Sequence, residues 1–260
     1  MKHRVARMLV LIAALMATPE PWASGQEPVA AILQQTADRA LRYTDNLPNF
    51  ICTQTVLRSS FDKKKQTWKP NDTLMLDLTY TSGQGETYRL ISINGKPTKK
   101  NYKDVGGFTS SGEFGTLLHW VFRPESQTKF EWKWAANLRG HDVDVLAFHI
   151  DKEHSQYHVG FNGNRYDGIF AWGGLVYIDR TTHDVLRLTH GPDTFPEDWP
   201  ATGLPADLDY DFVDIGGERI LLPLRAEMRV MLRDGSQSRN EILFRDYHRF
   251  TSQSTIRAVQ

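Results

Sequence analysis

The chain has 260 residues, of which 40% are hydrophobic and 11% aromatic, so it can bury the core of one sizeable domain. Its 31 basic and 31 acidic residues balance to a formal net charge of zero. This balance leaves no basic excess to attract nucleic acid or an anionic membrane surface, and we therefore exclude a nucleic-acid role.

The first 25 residues differ in character from the rest of the chain. A basic stretch precedes an uninterrupted apolar run from Met8 to Ala17, and small residues follow. This order is typical of a secretory signal peptide that is cleaved after Gly25, and the run is shorter than the roughly 20 residues that span a bilayer. A membrane-anchoring N-terminal helix is the alternative. We predict a signal peptide over 1–25 and a single periplasmic or secreted domain over 26–260, with no transmembrane segment after cleavage.

Removal of the signal peptide lowers the basic residues from 31 to 28 and the acidic residues from 31 to 30, which leaves a formal charge of −2. Cys52 is the only cysteine, so the chain cannot form an intramolecular disulfide. No partner histidine lies near it in the sequence, and free cysteines are among the most buried residues. We interpret Cys52 as a structural residue of a buried strand.

Hydrophobic periodicity divides the exported chain into helices and strands. Residues 28–43 carry apolar side chains at helical spacing behind a proline that suits a first helical turn, which predicts an amphipathic helix. The period then changes to two, which indicates β-strands. The predicted strands cover residues 50–57, 72–80, 88–96, 128–134, 141–150, 156–161, 206–215, 222–232 and 238–250, with a hairpin over 174–189.

One predicted helix interrupts the strands. Ser110 and Glu113 match a capping box, and an apolar stripe that includes Phe114, Leu117 and Leu118 follows before Pro124 ends the helix. The nearly unbroken stripe indicates that this helix lies on an apolar surface. The residues 193–205 contain three prolines and are predicted to be a long surface loop.

These elements predict an α+β fold. Many antiparallel strands with one polar face favour a single large, strongly curved β-sheet, a half-barrel, with the N-terminal helix and the inserted helix over its concave face. An architecture of this kind often encloses an apolar cavity between the sheet and its helices.

An aromatic cluster lies in the strand over 128–134. Strict alternation places Phe130, Trp132 and Trp134 on one face and charged residues on the other. Tryptophan side chains are large and costly to expose. The cluster is therefore either part of a large hydrophobic core, which needs no ligand, or the wall of an apolar or carbohydrate-binding site.

Four histidines, His141, His149, His154 and His158, form the densest histidine region. A zinc site needs three or four converging ligands, whereas these residues lie on two predicted strands and the turn between them. His149 and His158 could face each other across the hairpin, but no His-Glu-x-x-His motif or cysteine pair supports a metal. We interpret them as exposed residues and predict no metal and no cofactor, although the sequence leaves metal binding open.

Acidic residues at Asp207, Asp209, Asp211 and Glu218 have the spacing of a calcium loop. Phe212 occupies the position that requires glycine, and the intervening apolar residues form a clean strand face. We therefore predict that these aspartates lie on the solvent-facing side of a strand.

The common catalytic motifs are absent from the sequence. There is no Gly-x-Ser-x-Gly, no P-loop and no dinucleotide fingerprint, and Ser60 with Lys63 matches Ser-x-x-Lys without its partner motifs. A carboxylate pair for glycoside cleavage stays an open alternative, because its separation depends on the tertiary structure. We predict no catalytic residues.

The segment 174–189 combines Asp179, His183 and Asp184 in a polar loop between two apolar runs. An Asp and a His four residues apart suggest acid/base chemistry. We interpret the loop instead as a hairpin turn in which Asp179 and Asp184 bond to nearby backbone amides.

Several segments resemble an uncharacterised family of predicted secreted bacterial proteins. They are DNLPNFICTQTVLR (45–58), YRLISINGKPT (88–98), TSSGEFGTLLHWVFRPES (109–126), GLVYIDRTTHDVLRLT (174–189), LDYDFVDI (208–215), LLPLRAE (221–227) and SRNEILFRDYHRF (238–250). The order of helix, strands, aliphatic-Tyr-x-Asp-x-x-Thr hairpin, Asp-x-Gly-Gly strand and Leu-Pro strand more distantly resembles the LolA-like periplasmic lipoprotein carriers. That resemblance implies a half-barrel lidded by helices around an apolar cavity that holds acyl chains.

These observations lead to one leading hypothesis and two alternatives. We expect a non-enzymatic cell-envelope protein that binds a lipid, an acyl chain, a lipoprotein or another hydrophobic ligand in the half-barrel cavity. A protein-interaction or envelope-sensor module that contacts another envelope protein is the first alternative, and a hydrolase of unknown type is the second. The ligand-binding residues that we predict are Phe130, Trp132 and Trp134 in the wall and Phe114, Leu117 and Leu118 in the lid helix.

Overall fold

The computed structural model describes residues 29–109, 112–161 and 165–250, so the predicted signal peptide lies outside the described residues. The helices are α1, Val29–Leu41, and α2, Thr116–Phe122, with short 3₁₀ turns at Thr44–Asn46, Tyr102–Asp104, Pro124–Ser126 and Lys152–His154. The strands are β1 Phe50–Asp62, β2 Thr67–Thr81, β3 Gly85–Ile93, β4 Lys96–Pro97, β5 Lys129–Leu138, β6 His141–Ile150, β7 His158–Phe161, β8 Tyr166–Ile169, β9 Trp172–Asp179, β10 Val185–Pro192, β11 Ala201–Gly203, β12 Ala206–Ile215, β13 Glu218–Leu232 and β14 Gln237–Arg249.

Twelve of these strands form one open antiparallel sheet. Its order is β4-β3-β2-β1-β14-β13-β12-β10-β9-β6-β5, and β11 pairs with the far end of β13. The strands β7 and β8 form a separate two-stranded hairpin. The predicted fold class, α+β with one large antiparallel sheet and two helices, is confirmed. Among the described residues, no helix is long and apolar enough to cross a membrane.

One face of the sheet, called the inner face below, carries the hydrophobic core. Directly opposed residues of an antiparallel sheet share a face, so the register defines a row of side chains across the strands. All of its members are at most 7% exposed, because the helices and loops cover them. The row is Leu146, Val176, Leu188, Leu208, Ala226, Ile242, Val56 and Leu74.

The helix α1 is joined to the sheet by an ion pair. Ile32, Thr36 and Ala40 are its buried residues, as the helical spacing predicts. Arg39 then donates two hydrogen bonds to Asp184, from Nε to Oδ1 at 2.6 Å and from Nη2 to Oδ2 at 2.9 Å. This two-point contact fixes the last turn of the helix against the start of β10.

Replacement of Arg39 by glutamine is expected to lower the free energy of unfolding by about 1–2 kcal/mol. The Asp184 side chain is only 10% exposed, so its charge loses its main partner, while the 49% exposure of Arg39 limits the effect. Urea unfolding followed by circular dichroism measures the change. Exposed Arg42 offers a matched control, and Arg42→Gln should change stability by less than about 0.5 kcal/mol. Equal effects of the two variants would contradict the anchoring role.

The inserted helix begins later than the sequence predicts. It starts at Thr116, so the predicted capping box is wrong: Glu113 precedes the helix, and Ser110 lies outside the described residues. Gly115 is the N-cap with φ of 110°, and a Cβ there would lie 2.6 Å from Cγ2 of Thr44 and 2.8 Å from Cδ1 of Tyr43. The backbone turn therefore needs glycine both for its conformation and for its close approach to the end of α1.

The strand β12 departs from simple alternation. A register shift between Asp209 and Tyr210 interrupts its pairing with β13. Asp209 is 5% exposed and accepts hydrogen bonds from Arg187, at 2.6 and 2.9 Å, and from Arg139, at 2.9 Å. The prediction that Asp209 faces solvent is therefore wrong, because two guanidinium groups from neighbouring elements cover it.

Candidate functional site

A cavity of about 670 Å³ lies between α2 and the inner face of the sheet. Its floor comes from β10, β12, β13 and β14, and its roof from α2, the segment 107–109 and the hairpin strand β7. The apolar side chains Leu208, Ala226 and Val230 belong to the floor, and Leu117 and Trp120 belong to the roof. Its volume falls within the range of about 300–1,000 Å³ that is typical of small-molecule sites.

Two acidic residues, Asp207 and Glu227, lie on strands of the floor and border the cavity, but their side chains lie on the outer face of the sheet. Asp207 is opposite Glu227 in the register, and both alternate with the apolar floor residues. Glu227 accepts hydrogen bonds from Arg225 at 2.7 Å and from Arg229 at 2.8 Å. The charged groups of these strands are therefore held on the outer face, which leaves apolar side chains on the cavity side of β12 and β13.

Two histidines, His158 and His190, border the cavity, and His190 is the buried one. His190 is 8% exposed, its Nδ1 lies 3.1 Å from the hydroxyl oxygen of Tyr157, and the ring of Trp172 meets it edge to face. Burial lowers the pKa of His190 to about 4, and burial raises the pKa of Tyr157. Both groups are therefore uncharged near neutral pH, and they bond to each other.

The turn before α2 places a carboxylate beside the cavity. Glu113 borders the cavity and is 5% exposed. Its backbone carbonyl accepts a 2.8 Å hydrogen bond from the hydroxyl of Tyr210, which is fully buried on β12. This bond fixes the roof to the floor at the point where α2 begins.

The predicted surface loop over 193–205 also reaches the cavity. Its residues Pro200 and Leu204 border the site, and its strand β11 pairs with β13. Arg233 donates hydrogen bonds to the backbone carbonyls of Trp199, at 2.7 Å, and Pro196, at 2.6 Å. The loop is therefore packed back onto the domain and forms part of the site.

Of the lid residues predicted from the sequence, only Leu117 borders the cavity. Phe114 and Leu118 are 1% and 2% exposed and belong to the hydrophobic core. The ring of Phe114 packs against the rings of Phe50 and Phe244, both at 5.4 Å between centroids. Phe114 precedes α2 and does not lie on it.

The predicted aromatic wall is divided by a β-bulge. A register shift in β5 places Trp132 opposite Leu146 and Trp134 opposite Val145. Consecutive residues of β6 point to opposite faces, so the two tryptophans do so as well. The prediction that they share a face is wrong.

Both tryptophans lie at the edge of the sheet, away from the cavity. Trp132 is 36% exposed and donates from Nε1 to Oδ1 of Asp144 at 2.9 Å, while Trp134 is 44% exposed. Phe130 stacks on Phe122 of α2 at 5.4 Å between ring centroids. A ligand contact by these three residues therefore stays a prediction from the sequence.

Three of the four histidines, His141, His149 and His158, lie beside an aspartate. Nε2 of His149 is 2.8 Å from Asp193, and Nε2 of His158 is 2.7 Å from Asp167 across the β7–β8 hairpin. His149 and His158 therefore do not form the pair that the sequence allowed. In residues 29–109, 112–161 and 165–250, no group of three His, Cys, Asp or Glu side chains is placed to hold a metal ion.

The β9–β10 hairpin confirms a structural role for one of its two aspartates at the turn. Asp179 accepts hydrogen bonds from the backbone amides of Thr181 and Thr182 at 2.7 and 2.8 Å, and from Nδ1 of His141 at 2.7 Å. Burial opposes its ionisation, but these bonds outweigh burial and lower its pKa. Asp184 bonds to Arg39 of α1 through its side chain, so the prediction of a local backbone bond holds for Asp179 alone.

Sequence reasoning missed His190 and Tyr157 as site residues. The signal was present for His190, because the alternation of β10 places it on the same face as Leu188, which is buried. No comparable signal marks Tyr157. It precedes β7 and lies at the cavity only because the chain folds back over the sheet at this point. Cys52 is buried as predicted, and burial raises its pKa to about 12.

Comparison with solved structures finds a distant LolA-like similarity. A LolA superfamily protein from Nitrosomonas europaea is 10% identical, with 86% of this chain and 94% of that one covered and a TM-score of 0.42. A DUF1329 family protein from Desulfovibrio piger is 14% identical, with 88% and 96% covered and a TM-score of 0.37. The Mycobacterium tuberculosis lipoprotein LppX is 10% identical, with 84% and 95% covered and a TM-score of 0.28. No protein-family model and no curated protein matches the chain.

Proposed function

We propose that this protein binds a lipid or another hydrophobic ligand in the cavity beneath α2. The observation that carries the proposal is an internal space of about 670 Å³ whose floor is built from apolar side chains of the sheet. Apolar cavities favour apolar ligands because removal of apolar surface from water contributes a favourable free energy of about 25 cal/mol for each Å² buried. The segments over 1–25 resemble a signal peptide, which supports a place in the cell envelope.

We propose binding and not catalysis at this site. The buried wall histidine His190 has a pKa of about 4, far from the neutral value at which a general base is most effective. Its Nδ1 is already engaged by Tyr157 at 3.1 Å. This pair provides one fixed polar point for a ligand headgroup beside the apolar side chains of the floor.

The test is the binding of a dansylated fatty acid to the purified domain. Ala226, 7% exposed on the floor, is replaced by phenylalanine to fill part of the cavity, and we expect the affinity to fall at least tenfold. Exposed Ala135 on β5 lies outside the cavity, so Ala135→Phe is the matched control with unchanged affinity. Thermal unfolding of both variants shows that they are folded.

Native mass spectrometry provides a second readout. Protein isolated from a bacterial periplasm is expected to carry a co-purifying lipid, and the Ala226→Phe variant is expected to carry less. A bare protein mass for the wild type, together with no binding of the dansylated fatty acid, would contradict the proposal.

A protein-interaction module is the second candidate function. The observation that favours it is the exposure of Trp132 and Trp134 on the edge strand β5, since exposed tryptophans are enriched at binding hot spots. If this candidate is right, both tryptophans become protected on binding to an envelope partner while the cavity stays without a ligand.

A further inference from the structure

A second concave region lies at the opposite edge of the sheet from β5. It is a groove of about 880 Å³ between β3 and the segment 98–104 that follows β4. This groove shares no lining residue with the cavity beneath α2. Inferences about it are therefore independent of the proposed ligand-binding function.

The groove follows the backbone of a strand edge. Six consecutive residues of β3, from Glu86 to Ile91, line it, although alternate side chains point to opposite faces. Continuous lining of this kind means that the groove is bordered by the edge of the strand itself. The neighbouring strand β4 covers only the end of β3, where Ser92 is opposite Pro97 and Ile93 is opposite Lys96.

The edge of β3 lacks a strand partner along the groove. After Thr98 donates its amide to the carbonyl of Ile91 at 3.1 Å, the chain turns away into the 3₁₀ turn Tyr102–Asp104. Within the described part of the chain, no strand pairs with residues 86–90 on that side. Unpaired strand edges are templates for strand addition.

The size of the groove fits a short extended peptide. Strands lie about 4.8 Å apart, rise about 3.3 Å per residue and occupy a layer about 10 Å thick, so one strand residue fills about 160 Å³. A groove of about 880 Å³ therefore holds about five residues in extended conformation. This length corresponds to the unpaired stretch of β3.

The charge around the groove indicates the chemistry of its occupant. Lys99, Lys100 and Lys103 line its outer wall, and among the described residues their ammonium groups have no ion-pair or hydrogen-bond partner. The two carboxylates of the lining have local partners: Glu86 accepts a hydrogen bond from the Tyr88 hydroxyl at 3.0 Å and Asp104 from an asparagine amide at 3.2 Å. The donors to these carboxylates are uncharged, and Arg89 of the lining pairs with Asp77. The three lysines therefore exceed the two carboxylates by one positive charge, and this excess favours an acidic occupant.

We propose that an acidic, extended peptide segment of a partner protein docks in this groove by β-strand addition to β3. Backbone hydrogen bonds to residues 86–90 would supply the pairing, and Lys99, Lys100 and Lys103 would contact carboxylates of the peptide. The chain's own C-terminal segment, 251–260, contains no acidic residue and one arginine, so its charge does not fit.

The experiment measures the binding of a fluorescein-labelled octapeptide of alternating glutamate and valine by fluorescence anisotropy. We expect saturable binding that weakens with added salt, and at least tenfold weaker binding of two analogues. In one analogue lysine replaces glutamate, and in the other alternate residues are proline, which cannot donate ladder hydrogen bonds. Hydrogen exchange of the backbone amides in residues 86–90 is expected to slow at least tenfold with the acidic peptide bound.

Two double variants with the same change of charge separate the groove from general electrostatics. Lys99→Glu with Lys100→Glu is expected to weaken peptide binding at least tenfold, whereas Lys64→Glu with Lys65→Glu, in the exposed β1–β2 turn, changes it less than twofold. The proposal is overturned if the two double variants behave alike, or if the proline analogue binds as well as the acidic peptide. It is also overturned if phosphatidylglycerol vesicles bind at this edge in place of the peptide, or if sedimentation shows that β3 of a second copy occupies it.

Discussion

Replacement of Phe114 by alanine is expected to lower the free energy of unfolding by about 3–5 kcal/mol, the range for a fully buried aromatic residue. Phe114 is 1% exposed and its ring centroid lies 5.4 Å from Phe50, 5.4 Å from Phe244 and 6.3 Å from Tyr80. Alanine leaves a void among three rings on the inner face, which cannot all move to fill it. Urea unfolding measured by tryptophan fluorescence gives the change.

Trp134 is the matched control, because it is another aromatic residue from the same set of predicted ligand contacts. It is 44% exposed at the sheet edge, so Trp134→Ala should cost no more than about 1 kcal/mol. If Phe114→Ala leaves stability unchanged but abolishes binding of the dansylated fatty acid, Phe114 is a ligand contact and its placement in the core is contradicted.

Acidification is expected to destabilise the protein through His190. The folded-state pKa is about 4, below the ordinary value of 6.5, because burial disfavours the imidazolium. The unfolded chain therefore binds the proton first, and the stability from this residue is complete above pH 6.5 and is lost as the pH falls towards 4. The difference between the two pKa values corresponds to about 3 kcal/mol.

The measurement is the free energy of unfolding of the wild type and of His190→Asn at pH 7 and at pH 4. The wild type should lose about 3 kcal/mol more than the variant over this interval, since the variant has no imidazole to protonate. A pH dependence in His190→Asn equal to that of the wild type would show that this histidine does not titrate as proposed.

Residue periodicity predicted the elements of the sheet well. The strands β6 and β12 match the predicted ranges 141–150 and 206–215, and the buried residues of α1 follow its helical spacing. The sequences of these elements carry apolar residues at the spacing of a strand or a helix, and that pattern is a property of the local sequence. The α+β class follows from the order of the elements.

Other features depended on contacts between residues that are distant in sequence. Alternation alone placed Trp132 and Trp134 together, but the bulge in β5 depends on its pairing with β6. The predicted helix start at Ser110 gave way to Gly115 because the turn meets the end of α1. Neither contact, that of β5 with β6 or that of Gly115 with the end of α1, can be predicted from the residues around these positions alone.

The candidate cavity was foreseen as a consequence of the architecture, but its lining was not. A sheet with an apolar face and an amphipathic helix implies a space between them, and Leu117 borders the cavity found there. The position of Tyr157 and of the loop over 193–205 depends on how the chain folds back over β13. Those contacts arise from chain path and packing, which the sequence pattern does not encode directly.

The sequence by itself therefore determined the class of fold, the ranges of α1, β6 and β12, the burial of Cys52 and the turn that Asp179 caps, because each depends on local periodicity or on neighbours a few residues away. The tertiary structure decided where α1 is anchored, which residues line the cavity and how charge is distributed at the two sheet edges. These depend on pairs such as Arg39 and Asp184, separated by 145 residues, which meet only when the sheet has formed.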